Sequence, residues 1–220
     1  MIPMTPARNS APPPAPIRCR FLARAGALGL VLLAAGCYLP VRFDAEIEVF
    51  RTGHYSIEFD GYIAELPLYE GLQKQKLGGA EEEKKVEAVK ADFKRDKGTK
   101  DIQYHRKGIF RVKWQDQGDL LKAKMVTFIR RNAAMLTVSY ADTTGLVSIY
   151  GASLTKENID RIAALALGTE GQIRVYTDAK VVSHNATSVA DNPKKGPNFK
   201  TYTWKVAGFE KPPKMTIALR

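Results

Sequence analysis

From Phe43 to Asp60 the chain alternates apolar and polar residues with period two. Phe43, Ala45, Ile47 and Val49 interleave with Asp44, Glu46 and Glu48; after Arg51-Thr52-Gly53-His54, Tyr55, Ile57 and Phe59 interleave with Ser56, Glu58 and Asp60. Successive side chains of a strand point to opposite faces. The pattern therefore predicts a β-hairpin with one buried face and one acidic, solvated face. Gly53 supplies the permissive backbone of the turn.

The same period returns along the chain. Ile102 and Tyr104 precede a Lys107-Gly108 turn, and Phe110, Val112 and Trp114 alternate with Arg111, Lys113 and Gln115. A turn at 116–119 leads to Leu121, Ala123, Met125, Thr127 and Ile129. Strands follow around Val138, at 146–150, 172–176 and 181–184, around Trp204 and around Ile217, with an exposed loop at 191–198. Over 99–150, spacing and turn chemistry make this a β-meander. Residues 80–96 read as a helix with a narrow stripe of Val86, Val89 and Phe93. Glutamates 81–83 stand at its start and Lys94, Arg95 and Lys97 at its end, the order the helix dipole favours. Residues 153–167 read as a second helix, capped by Ser153 or Thr155 and ended by Gly168. Residues 65–77 are ambiguous, with Pro67 suited to the first turn of a short helix. The expected fold is α+β: one largely antiparallel β-sheet with two helices packed on one side, forming a single globular domain over 43–220.

The segment before this domain has a different character. Residues 1–24 carry Arg8, Arg18, Arg20 and Arg24 and no acid, and 25–35 form an uncharged run of eleven residues rich in Leu, Ala and Gly. As a helix that run spans about 16 Å, roughly half a bilayer core, so a secretory signal fits better than a permanent span. Residues 32–37, Leu-Leu-Ala-Ala-Gly-Cys, place small residues directly before Cys37, whose thiolate is the nucleophile suited to taking a diacylglyceryl group. This resembles the lipobox of bacterial lipoproteins, although Ala34 stands where that family usually has Leu. The resemblance implies cleavage after residue 36, a lipidated Cys37 with a tether to residue 42, and anchoring to the cell envelope. Tyr38 stands where Asp retains well-known Gram-negative lipoproteins in the inner membrane. Its identity points to the outer membrane, facing the periplasm, in a Gram-negative cell. The Pro-rich stretch 11–16 cannot be helical and belongs outside fold reasoning.

If residues 1–36 are removed, 30 of the 34 basic residues remain against 23 acidic ones, a net charge of +7. That balance is compatible with an anionic membrane surface or polyanion and identifies neither. The other cysteine, Cys19, lies in the leader, so the domain is expected to hold together without a disulfide.

Chemistry-bearing motifs are sparse. His54, His105 and His184 each stand alone at a predicted turn or strand end, with no metal-ligand spacing. No Gly-x-Ser-x-Gly elbow and no phosphate-binding Gly-rich loop occurs. His184 with Asp178 or Asp191 is the one neighbourhood a hydrolase would use. The expectation is a non-enzymatic protein without cofactor or metal. Basic residues cluster at 74–113, with 13 Lys/Arg against 7 Asp/Glu. Lys94, Arg95, Lys97, Arg111, Lys113, Lys122 and Lys124 form a candidate surface for lipid phosphates or other envelope polyanions; export argues against nucleic acid.

Residues 178–186, Asp-Ala-Lys-Val-Val-Ser-His-Asn-Ala, followed by Tyr202-Thr203-Trp204-Lys205-Val206, resemble the β-rich LppM-type lipoprotein domain. The resemblance implies an envelope lipoprotein with a lipid or glycolipid ligand and carries over no catalytic residue. The alternative is a structural or assembly factor acting through an envelope protein partner, using a sheet edge or helix 80–96.

Overall fold

The computed structural model describes residues 38–129 and 135–219. The leader and Cys37 lie outside the described residues. The opening hairpin forms as its alternation requires: β1 (Tyr38–Val49) pairs antiparallel with β2 (His54–Glu65), from Tyr38 against Glu65 to Val49 against Tyr55. It forms the middle of a seven-stranded sheet. On one side stand β3 (Thr99–Arg106) and β4 (Ile109–Asp119); on the other, β8 (Glu170–Thr177), β10 (Ser188–Asp191) and β11 (Lys200–Val206). The strand order is β10-β11-β8-β1-β2-β4-β3. A second sheet contains β5 (Met125–Phe128), β6 (Leu136–Ala141), β7 (Leu146–Gly151), β9 (Lys180–His184) and β12 (Lys214–Ala218), in the order β5-β6-β7-β12-β9. All the ladders are antiparallel except β1–β8.

The expected single sheet is thus two. Ile47, Ile57, Val112 and Val175 of the first and Val138, Val147, Ile149 and Ile217 of the second are buried in one shared cluster. Each sheet alternates apolar and polar residues and must cover its apolar face. The two cover each other as a sandwich. Sequence spacing marks the strands but not which of them share a sheet.

The two-helices-on-one-side arrangement is not what forms. Helix α2 (Gly79–Lys94) sends Val86, Val89 and Phe93 into the inter-sheet core. Helix α4 (Lys156–Ala164) packs elsewhere. Its Ile162 joins Leu39, Ala64, Leu66, Tyr69 and Leu167 in a small second cluster. Ala64 neighbours core-facing Ile63 in β2, so it points to the reverse face of the large sheet. Helix α1 (Leu66–Gln73) straddles both, with Leu68 in the main core and Leu66 and Tyr69 in the second cluster. Pro67 sits in its first turn, and the Glu65 side chain accepts the Leu68 N–H at 2.6 Å. The expected turn at 116–119 is also absent: β4 continues to Asp119 and a short helix, α3 (Leu120–Ala123), follows. The Asp119 carboxylate takes the Leu121 N–H at 2.8 Å and the Gly53 carbonyl takes the Leu120 N–H at 2.9 Å. The local bond to Asp119 and the distant one to Gly53 together outcompete continuation as a strand.

Glu70 of α1 ties to Lys74 and to Arg161 of α4. The bonds from Lys74 and then Arg161 hold its carboxyl below the usual carboxylate range. A depressed acid contributes stability above its unfolded pKa and loses it as pH falls through the folded one. The urea midpoint of the wild type should therefore drop between about pH 5 and pH 3, and Glu70→Gln should flatten that slope. Equal slopes would show that the α1–α4 pair contributes nothing.

Candidate ligand-binding cavity

The sandwich does not close completely at the end where β1 begins. A cavity of about 410 Å³ lies between the sheets there. Phe43, Ala45, Ile57 and Phe59 wall it from the large sheet, Phe128 and Leu136 from the small one. Tyr38 and Pro40 border it at the start of the chain's first strand, and Phe209, Pro212 and Pro213 of the β11–β12 connection close the far side. Exposed Ala152 and Lys211 stand at the rim. The walls are mostly carbon.

Two local features leave this space open. Ala45 sits between Phe43 and Ile47 on the inward face of β1, so one short side chain interrupts a row of large ones. Phe43 is paired with Gly61 on one side and Gly171 on the other. A Cβ at Gly61 would stand 2.5 Å from the Phe43 Cβ, so the glycine is needed for the close approach. The Phe43 ring then stacks on Phe59 at 5.7 Å, Phe59 on Phe128 at 4.3 Å, and Phe128 meets Trp114 at 5.0 Å. This aromatic run crosses from one sheet to the other and props the end of the sandwich. Thr169, also in the lining, is buried, and its hydroxyl has no hydrogen-bond partner among the described residues.

The far wall is held by Asn185. Its side-chain oxygen accepts from Trp204 Nε1 and from the Lys214 backbone N–H, each at 2.7 Å, and its amide donates to the Pro212 carbonyl at 3.0 Å. The Asn-Ala turn and the Trp strand noted in the sequence are thus joined directly. Asn185→Ala should cost about 2 kcal/mol in urea denaturation, because it leaves the buried Trp204 N–H without its acceptor. A loss below about 0.5 kcal/mol would contradict this role.

Four of the basic residues proposed from sequence lie beside carboxylates. Arg111 pairs with Asp60, and Lys113 lies 4.0 Å from the same carboxylate. Arg95 pairs with Asp92 within its own helical turn, and Lys124 with Asp142 at 2.6 Å. Lys94 ends α2, and Lys97 and Lys122 are exposed. The acidic outer face of the hairpin supplies one of these partners, Asp60. Across the sheet it also holds Arg174, which bonds Asp44 and Glu46 at 2.8 Å. Burial opposes the Arg174 charge, but the two carboxylates outweigh it and raise its pKa.

His184 packs edge-on against the Tyr202 ring, and its Nδ1 accepts the Ala186 N–H at 3.2 Å. Asp178 is bonded to Arg51 and Asp191 to Lys200, so neither is paired with this histidine. Among the described residues no group of three His, Cys, Asp or Glu side chains is placed to hold a metal ion. No helix among them is long and apolar enough to cross a membrane.

The cavity was not legible in the sequence. Its lining comes from segments more than 150 positions apart, and its residue types are those of any core.

Neither the protein-family models nor the curated proteins give a match to this sequence. Among solved structures, the chain is similar to the NMR structure of the folded domain of Mycobacterium tuberculosis LppM. Identity is 12%, over 83% of this chain and 91% of that one, with a TM-score of 0.41. It is also similar to part of the crystal structure of an M1 zinc metallopeptidase from Deinococcus radiodurans. There identity is 9%, over 82% of this chain and 42% of that one, with a TM-score of 0.31. Likeness at this level leaves function to be argued from the cavity itself.

Proposed function

We propose that this chain is a lipid-anchored protein of the bacterial cell envelope that shelters an acyl chain of a lipid or glycolipid between its two sheets, without catalysing a reaction on it. The apolar cavity of about 410 Å³ carries the reading. Its volume lies within the about 300–1,000 Å³ typical of small-molecule sites. Its position supports the reading as well. Tyr38 borders the cavity and directly follows Cys37, the proposed lipid attachment point. An anchor there would hold the opening next to the bilayer.

An acyl chain in such a site gains about 0.8 kcal/mol per buried methylene. Fatty acids competing with a fluorescent acyl probe should therefore weaken by about two orders of magnitude when shortened by about four methylenes. Ala152→Trp, which places a large ring at the rim, should reduce uptake of the probe. Affinity independent of chain length would rule out the cavity as the acyl site.

A second reading, an assembly factor, is favoured by the edge strands. Val182 on β9 is 57% exposed and Val189 on β10 is 43% exposed, and both strands end their sheets. Such edges suit strand addition by a partner. Retained acyl binding in a variant with Lys at both positions, together with lost function in cells, would favour this reading.

A further inference from the structure

The outer face of the large sheet carries a second recess at the same end of the molecule. Arg42 of β1, Tyr62 of β2, His105 and Arg106 of β3, and Glu170 of β8 line a groove of about 650 Å³. Strand register explains the grouping. Arg42 is paired with both Glu170 and Tyr62, and Tyr62 with Arg111, so these residues form one row across four strands. Tyr62 organises the side chains around it. The His105 ring meets it edge-on at 5.5 Å, and the Arg111 guanidinium lies over its face at 5.3 Å.

The rows on this face differ in their balance of charge. The next rows carry Asp44 with Asp60 and Glu46 with Glu58, and those carboxylates engage Arg174 and Arg111. In the groove the balance reverses. Arg42 and Arg106 are exposed and have no ion-pair partner among the described residues. Glu170 is the single carboxylate in the lining. Two guanidiniums, an imidazole and a phenol against one carboxylate suit a group with several acceptor oxygens. The planar guanidinium fork matches a phosphoryl group in particular.

Thr169 connects the two recesses. It lines both this groove and the apolar cavity, and its buried hydroxyl lacks a partner among the described residues. An apolar compartment and a cationic one thus meet at an unsatisfied polar atom, which is the layout of an amphiphile. We propose that the groove is the subsite for the phosphate of a lipid headgroup, with Arg42 and Arg106 holding phosphoryl oxygens while the acyl chain occupies the cavity. This rests on the cavity reading above and adds the charge class of the lipid.

The test uses the delipidated full chain in detergent, incubated with equimolar dipalmitoyl phosphatidate and dipalmitoylglycerol. These two lipids share their acyl chains and differ in the phosphate. The retained lipids are extracted and quantified. The expected result is a preference for phosphatidate of about tenfold or more, brought near unity by Arg42→Gln with Arg106→Gln while diacylglycerol retention is unchanged. Equal retention of both lipids by the wild type would overturn the headgroup subsite and leave the cavity reading standing. Retention of neither would remove the cavity reading and this proposal with it. A parallel titration with inorganic phosphate separates the sources: saturable phosphate binding without a lipid preference would assign the groove to a free phosphate and overturn the headgroup assignment.

Discussion

Phe59→Ala is expected to lower folding stability by about 3–5 kcal/mol, the usual range for truncating a buried phenylalanine. For a domain of this size that is a fall in Tm of roughly 10 °C. Phe59 is 5% exposed and contacts Phe43 in its own sheet and Phe128 in the other. Its removal deletes two aromatic contacts, each contributing about 0.5–1.5 kcal/mol beyond simple burial, and lets the two sheets approach or leaves a void. The backbone around it is fixed, because Phe59 pairs with Ala45 on one side and Trp114 on the other. Phe59→Leu should recover more than half of the loss, since it restores most of the volume but not the ring stacking. Urea unfolding monitored by tryptophan fluorescence measures both. A loss below about 1 kcal/mol for the alanine variant would mean that the aromatic run does not prop the sandwich.

The second large effect concerns attachment. Cys37→Ser is expected to abolish metabolic labelling with a palmitate analogue and to shift the protein out of the lipid-modified fraction. The serine hydroxyl is a far weaker nucleophile at neutral pH than the cysteine thiolate. The substitution lies just before the first described residue, Tyr38, and the domain should keep its Tm. Equal labelling of wild type and variant would sink the lipoprotein reading, and a lowered Tm would show that Cys37 takes part in the fold.

The limits of legibility in this sequence have physical causes. The Phe43–Asp60 hairpin was readable because its alternation is a local property with a fixed period. Helix α2 was readable from its stripe and its charge order, and it forms within two residues of the expected bounds. The split into two sheets was not readable, because Val126, Val138 and Ile149 look the same whether they extend one sheet or face another. Helix α3 was missed because Leu121 and Met125 fit a strand period, while the bond from Leu120 N–H to Gly53 depends on a turn some 65 residues earlier. The same reason governs the site. Arg42, Tyr62 and Arg106 are scattered along the chain and meet only through register. The more conspicuous run at 94–97 instead stays on one helix end. Arg111 and Lys113, conspicuous in the sequence for their charge, face a row of carboxylates that the same hairpin presents.

Native mass spectrometry of the Cys37→Ser protein from its own cells reads out whether an acyl chain is held between the sheets. That substitution rules out a thioether-linked lipid at this position, so any added mass is a bound ligand. One non-covalently bound lipid per chain is expected, released on collisional activation and absent from the Ala152→Trp variant. A bare polypeptide mass from protein that circular dichroism shows to be folded would contradict it.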